Sequence, residues 1–171
     1  MRTVCWFSCG AASAVATKLT LAENKDVVIA YTEVKEEHPD NKRFLAECEE
    51  WFGVPIVKLQ DEKHKGSIYS VFESAKYIVG IAGAPCTKML KKWVREAFQK
   101  PNDIHVFGYT VEEEHRADRF IDANNNVNLL SVLIEHGLTH DDCLAIVDRA
   151  GIKLPEMYQL GYKNNNCIGC V

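Results

Sequence analysis

The sequence predicts an α/β protein: a doubly wound, mostly parallel sheet with helices on both faces, followed by a short irregular tail. Three observations predict it. Short apolar or β-branched runs alternate with longer stretches at helical spacing. The run Val27-Val28-Ile29-Ala30-Tyr31 is apolar without alternation, as a strand covered on both faces must be. A tight turn of small residues, Ser8-Cys9-Gly10, joins the first run to the first helix.

Thr3 to Phe7 predicts the first strand and Ala11 to Ala22, rich in Ala and Leu, the first helix. Asp26 to Tyr31 is the second strand, and a helix follows from about Pro39 to Phe52, with Pro suited to its first turn and Gly53 beyond its end. Pro55 to Leu59 and Ile104 to Tyr109 predict two further strands, separated by helical stretches Ile68 to Tyr77 and Thr87 to Phe98. A charged helix over Val111 to Asn124, a strand around Val127 to Ile134 and a helix over Asp141 to Ala150, capped by Thr139, complete the alternation. In such a fold, ligands lie at the carboxyl ends of the strands. Residues 154–171 read differently, with Pro155, Gly161, Asn164-Asn165-Asn166 and Cys167-Ile168-Gly169-Cys170, and are expected to form a tail.

The chain has 171 residues, enough for one domain to bury a core without disulfides. A net charge of −4 argues against a generally basic nucleic-acid binder, while leaving room for a local basic patch. No apolar run is long enough to span a membrane and no secretory leader is evident, so a cytoplasmic protein is expected. Seven cysteines is an odd number, better explained by reduced thiols, metal ligands or catalysis than by complete disulfide pairing. Cys5, Cys48 and Cys143 are expected to be small buried hydrophobes.

Ser8-Cys9-Gly10-Ala11-Ala12-Ser13 has the chemistry of an anion site. Amides at the turn, the positive end of the helix dipole and two hydroxyls converge there, and the small residues let a ligand approach the backbone. The segment matches neither the Walker pattern nor the three-glycine dinucleotide pattern. Arg116 and Arg119 begin a helix after a strand, where a guanidinium can grip phosphate or sulfate at two points; a solvated face paired with Glu112 to Glu114 is the other reading. Cys167-x-x-Cys170 is a two-thiolate unit, and Cys86, beside Lys88, Lys91 and Lys92, stands at a helix start whose dipole favours thiolate.

These segments resemble the PP-loop nucleotide-binding enzymes and, within them, the phosphoadenosine phosphosulfate reductase family. Ser8, Gly10 and Ser13 match that family's loop, with Cys9 where Gly is frequent and Ala12 where many ATP pyrophosphatases carry Asp. Glu37-His38-Pro39-Asp40 before Arg43-Phe44, Phe52 to Ile56, and Gly108-Tyr109 with Glu113, Arg116 and Arg119 resemble the segments after its second and fourth strands. Cys167 follows Cys86 by 81 positions, close to the spacing in cluster-bearing relatives, although Pro85 replaces one cysteine of their pair.

The resemblance implies a Rossmann-like PP-loop domain over residues 1–153 and a Cys-x-x-Cys tail over 154–171. It implies an enzyme that binds ATP or phosphoadenosine phosphosulfate through Ser8, Gly10, Ser13, Lys88 and Arg119 and performs sulfur or phosphoanhydride chemistry, with Cys86 and Arg116 in catalytic roles. Cys86, Cys167 and Cys170 would hold a 4Fe-4S cluster or, alternatively, zinc. An electron-donor protein, RNA or a second copy of the chain are the partners such relatives allow. Two alternatives stand: ATP-dependent sulfur insertion into a nucleobase using a three-cysteine cluster, and a non-catalytic nucleotide-binding regulator, which Ala12 and the missing reductase-type terminal cysteine both allow.

Overall fold

The computed structural model describes residues 1–81, 83–165, 167–168 and 170. Strands β1 (Thr3–Trp6), β2 (Val27–Thr32), β3 (Ile56–Leu59), β4 (Ile104–Val106) and β5 (Asn128–Leu130) form one sheet in the order β3-β2-β1-β4-β5, every neighbouring pair parallel. Helices α1 (Ala11–Glu23), α2 (Asn41–Phe52) and α3 (Ile68–Ala75) follow the first three strands in turn. A π-wound segment, Thr87–Lys92, runs straight into α4 (Trp93–Phe98). A 3-10 turn, Val111–Glu113, leads into α5 (Glu114–Ala123), and α6 (Val132–Glu135), α7 (His140–Arg149) and α8 (Glu156–Gln159) complete the chain.

The chain runs from β1 out to β3 on one side and from β4 out to β5 on the other, so the topology switches between β1 and β4. A crevice opens at the carboxyl ends of the strands at such a point. Side chains alternate along β1, and the two faces of the sheet are packed unequally. Cys5 and Phe7 point into the main core with Ala14, Val15, Ile29, Phe44, Phe52 and Val147. Phe7 is the hub there, with ring centroids 5.6 Å from Phe52 edge-on and 6.3 Å from Phe44. Full burial of such a ring is worth roughly 2–3 kcal/mol. Val4, Trp6 and Ala30 point the other way into a smaller cluster with Leu59, Phe98 and Phe107. Trp6 Nε1 donates to His105 Nδ1 at 2.9 Å, which satisfies two buried polar atoms together.

Local signals explain most of the boundaries. Thr139 and Asp142 form a reciprocal capping box at the start of α7, and Gly53 ends α2 with φ at +70°. The expected strand over Val127 to Ile134 is corrected: only Asn128–Leu130 is extended, and Val132–Glu135 is helical. β4 offers β5 only three residues to pair with, and adjacent Val132 and Leu133 are both fully buried, which a helix achieves and an edge strand does not. α2 begins at Asn41, so Pro39 precedes its first turn. No helix among the described residues is long and apolar enough to cross a membrane.

Candidate active site

A cavity of about 540 Å³ occupies the crevice at the carboxyl ends of β1, β2 and β4. The loop after β1 forms one wall. Gly10 is the N-cap of α1 and offers no side chain, so the first amides of the helix are left to other acceptors. Cys9 adopts φ of +57°, a left-handed conformation that costs a non-glycine residue about 1 kcal/mol, and its thiol turns down into the core. Burial raises that thiol's pKa far above its ordinary value, with nearby Glu37 and Cys48 adding to the effect. Ser13 Oγ donates to the Gly10 carbonyl at 3.0 Å and accepts from the Ser8 amide at 3.1 Å and the Ser8 hydroxyl at 3.0 Å. The two serines therefore brace the loop from within.

Cations form the second wall. Lys91, Lys92 and Arg95 all line the cavity, and Arg95 is only 7% exposed. Its Nη2 donates to Asn124 Oδ1 at 3.3 Å and its guanidinium stands 4.9 Å from the centre of the Phe120 ring. Among the described residues its Nε is buried without a partner, and the Glu96 carboxylate, 3.7 Å from Nη2, is 41% exposed. Desolvation holds the Arg95 pKa below its ordinary value. Arg116 also lines the cavity, paired with Glu113 and 5.5 Å from the centre of the Tyr109 ring. Lys88 lies outside the lining residues, with Nζ 5.6 Å over the Trp93 ring. Arg119 lies outside it as well, lining an adjoining shallow groove and donating to the His115 carbonyl at 3.2 Å.

Trp6, Phe107, Tyr109 and Phe120 give the cavity an aromatic side, and Glu37 reaches it from the loop after β2. Burial raises the Glu37 pKa; the Tyr31 hydroxyl and Asn41 Nδ2, the latter at 2.9 Å, both donate to its carboxylate. The tail closes the remaining side through Tyr158, Asn164 and Asn165. Arg43 Nη1 donates to the Lys153 carbonyl at 3.0 Å and the Glu156 amide donates to Asp40 Oδ2 at 3.0 Å, fastening the start of the tail to α2.

No family model matches the sequence, and no curated protein matches it. Among solved structures, phosphoadenylyl-sulfate (PAPS) reductase from Candida auris, a phosphate complex, matches with a TM-score of 0.68. The match covers 100% of this chain and 84% of that one at 10% sequence identity. The fold is that of PAPS reductase.

Within this PAPS reductase fold, Cys86 and Cys167 pack against one small cluster of Val34, Ile68, Val71 and Leu90 despite their separation in sequence. Cys167 pairs with Glu37 in an antiparallel bridge, and the Cys170 amide donates to the Cys167 carbonyl at 3.1 Å. Burial pushes the Cys167 thiol up to about 11; Lys91 opposes the rise, and Glu37, Cys170 and Cys86 add to it. Among the described residues no three Cys, His, Asp or Glu side chains are gathered to hold a metal ion, so a 4Fe-4S cluster or zinc on these thiols has no ligand set there. No cysteine is among the described residues lining the cavity.

Sequence reasoning singled out the loop and Arg116 but missed Arg95, Asn124, His140 and Tyr158. Arg95 carried a signal, being a cation one turn beyond Lys91 and Lys92, yet beside Glu96 it reads as a solvated pair. Tyr158 carried none, since it comes from a short helix in a segment read as tail.

Proposed function

We propose that this chain is a PAPS reductase-like enzyme that binds an adenine nucleotide in the cavity and acts on a sulfonucleotide. One observation carries the reading: the cavity joins the N-terminus of α1 to Lys91, Lys92 and buried Arg95, a cationic wall whose innermost member has a donor without a partner among the described residues. A buried guanidinium without a close buried carboxylate is costly unless an anion meets it. The phosphate or sulfate group lies against the amides of the first turn of α1, where Ser8, Gly10 and Ser13 shape the loop. Arg116 and the Lys91–Arg95 wall neutralise the rest of the charge, and the aromatic side of Trp6, Phe107 and Phe120 takes the planar base. That the PAPS reductase of similar fold was crystallised as a phosphate complex supports an anionic ligand for this fold.

Reductive cleavage to sulfite takes two electrons, which a dithiol donor protein supplies as it is oxidised to a disulfide. Product analysis tests the reaction. Incubation with PAPS and a reduced dithiol protein yields sulfite and adenosine 3′,5′-bisphosphate on this reading. AMP and pyrophosphate from ATP would favour nucleobase activation and sulfur insertion instead, and unchanged nucleotide would favour a regulator without turnover.

A further inference from the structure

Three hydroxyls stand at the loop, and their hydrogen bonds settle which of them has a proton to offer. Ser13 directs its proton to the Gly10 carbonyl at 3.0 Å, and Ser8 directs its own to Ser13 Oγ at 3.0 Å. Tyr158 is wired the other way. Its oxygen accepts from the Ala11 amide at 3.1 Å. That amide occupies the oxygen as an acceptor, and among the described residues its own proton meets no acceptor. Tyr158 lines the cavity with Ser8, Gly10 and Ser13, and its oxygen lies 3.2 Å from where a Cβ on Gly10 would stand.

The tail that carries Tyr158 is tied to the same loop at a second point. Asn165 Nδ2 donates to the Cys9 carbonyl at 2.6 Å and to Asn41 Oδ1 at 2.8 Å. Edge-on packing of His140 at 5.9 Å fixes the Tyr158 ring. The hydroxyl is thus held at the mouth of the loop by contacts that leave its donor function unused.

We propose that Tyr158 is the hydroxyl donor to the anion held at the loop, a residue brought to the site by the tail. This rests on the reading of the cavity as a nucleotide site and adds a residue to it. The Ala11 amide, by donating to the Tyr158 oxygen, polarises the hydroxyl and strengthens the bond it makes to an anion. Seating of the tail and occupancy of the loop by phosphate then favour one another.

The test is calorimetric titration of wild type, Tyr158→Phe and Asn165→Ala with AMP and with adenosine. Tyr158→Phe keeps the ring packed on His140 and removes only the hydroxyl. A charge-assisted hydrogen bond lost from a bound anion lowers affinity about tenfold or more. The proposal expects that loss for AMP in Tyr158→Phe, no change for adenosine, and a smaller loss for AMP in Asn165→Ala, which loosens the tail but keeps the hydroxyl. Unchanged AMP affinity in folded Tyr158→Phe, or an equal loss for AMP and adenosine, overturns the proposal while leaving the nucleotide site standing. Wild type that binds neither ligand overturns both.

Discussion

A Cβ built on Gly108 would stand 2.6 Å from the backbone nitrogen of Ser13 and 2.9 Å from the carbonyl carbon of Ala12. The exit of β4 and the first turn of α1 are therefore in backbone contact, and that contact sets the floor of the loop. Gly108→Ala must push the two apart, at a cost of about 1–3 kcal/mol in stability. Urea unfolding measures the loss, and an unchanged midpoint would mean that the contact is not rigid.

Gly10 faces the cavity with 3.2 Å between a would-be Cβ and the Tyr158 oxygen, and 3.7 Å to Ser8 Oγ. Its φ of −108° suits any residue, so Gly10→Val can fold. The branched side chain then fills the space in front of the first helical amides. Nucleotide affinity should fall at least tenfold, about 1.4 kcal/mol, with a modest drop in melting temperature as the Tyr158 hydroxyl gives way to the new side chain. A variant that binds as wild type does would move the anion away from the loop.

Arg95 separates stability from binding. Replacing a buried charge that lacks a close buried counter-ion by an apolar side chain of similar length is often neutral or stabilising. Arg95→Met should keep or raise the melting temperature and weaken nucleotide binding at least tenfold. A lower melting temperature with unchanged affinity would assign Arg95 to the scaffold.

Arg2 and Asp103 tie the starts of β1 and β4, with Arg2 Nε donating to Asp103 Oδ1 at 2.9 Å and the Lys100 amide donating to Oδ2 at 2.7 Å. The Arg2 hydrogen bond holds the Asp103 carboxyl below the usual carboxylate range. A depressed carboxylate contributes stability that is fully present above its unfolded pKa, near 3.9, and lost as pH falls through the folded value. Asp103→Asn should therefore cost about 1–3 kcal/mol at pH 7 and progressively less below about pH 4. Urea midpoints of both proteins across that range check it, and a difference that stays constant into acid would contradict the assignment.

Much of this was legible in the sequence, for reasons that particular residues show. The unbroken Val27 to Tyr31 run fixed a central parallel strand, and small residues after β1 marked the loop. Lys88, Lys91, Lys92 and Arg95 share a face only under regular α-helical spacing. Thr87–Lys92 is π-wound, and one extra residue per turn shifts the phase of everything after it. Lys91, Lys92 and Arg95 then line the cavity while Lys88 turns to Trp93, an outcome that depends on packing against the sheet rather than on local propensity. Tyr158 was invisible for a related reason: its role comes from a hydrogen bond to Ala11, 147 positions away.

Calorimetric titration of the wild-type chain with ATP, adenosine phosphosulfate and PAPS tests the central claim most directly. The account predicts saturable one-to-one binding of at least one of them, strongest for PAPS, whose several anionic groups can engage both the loop and the Lys91–Arg95 wall. No measurable heat with any of the three, on protein shown to be folded, would contradict it.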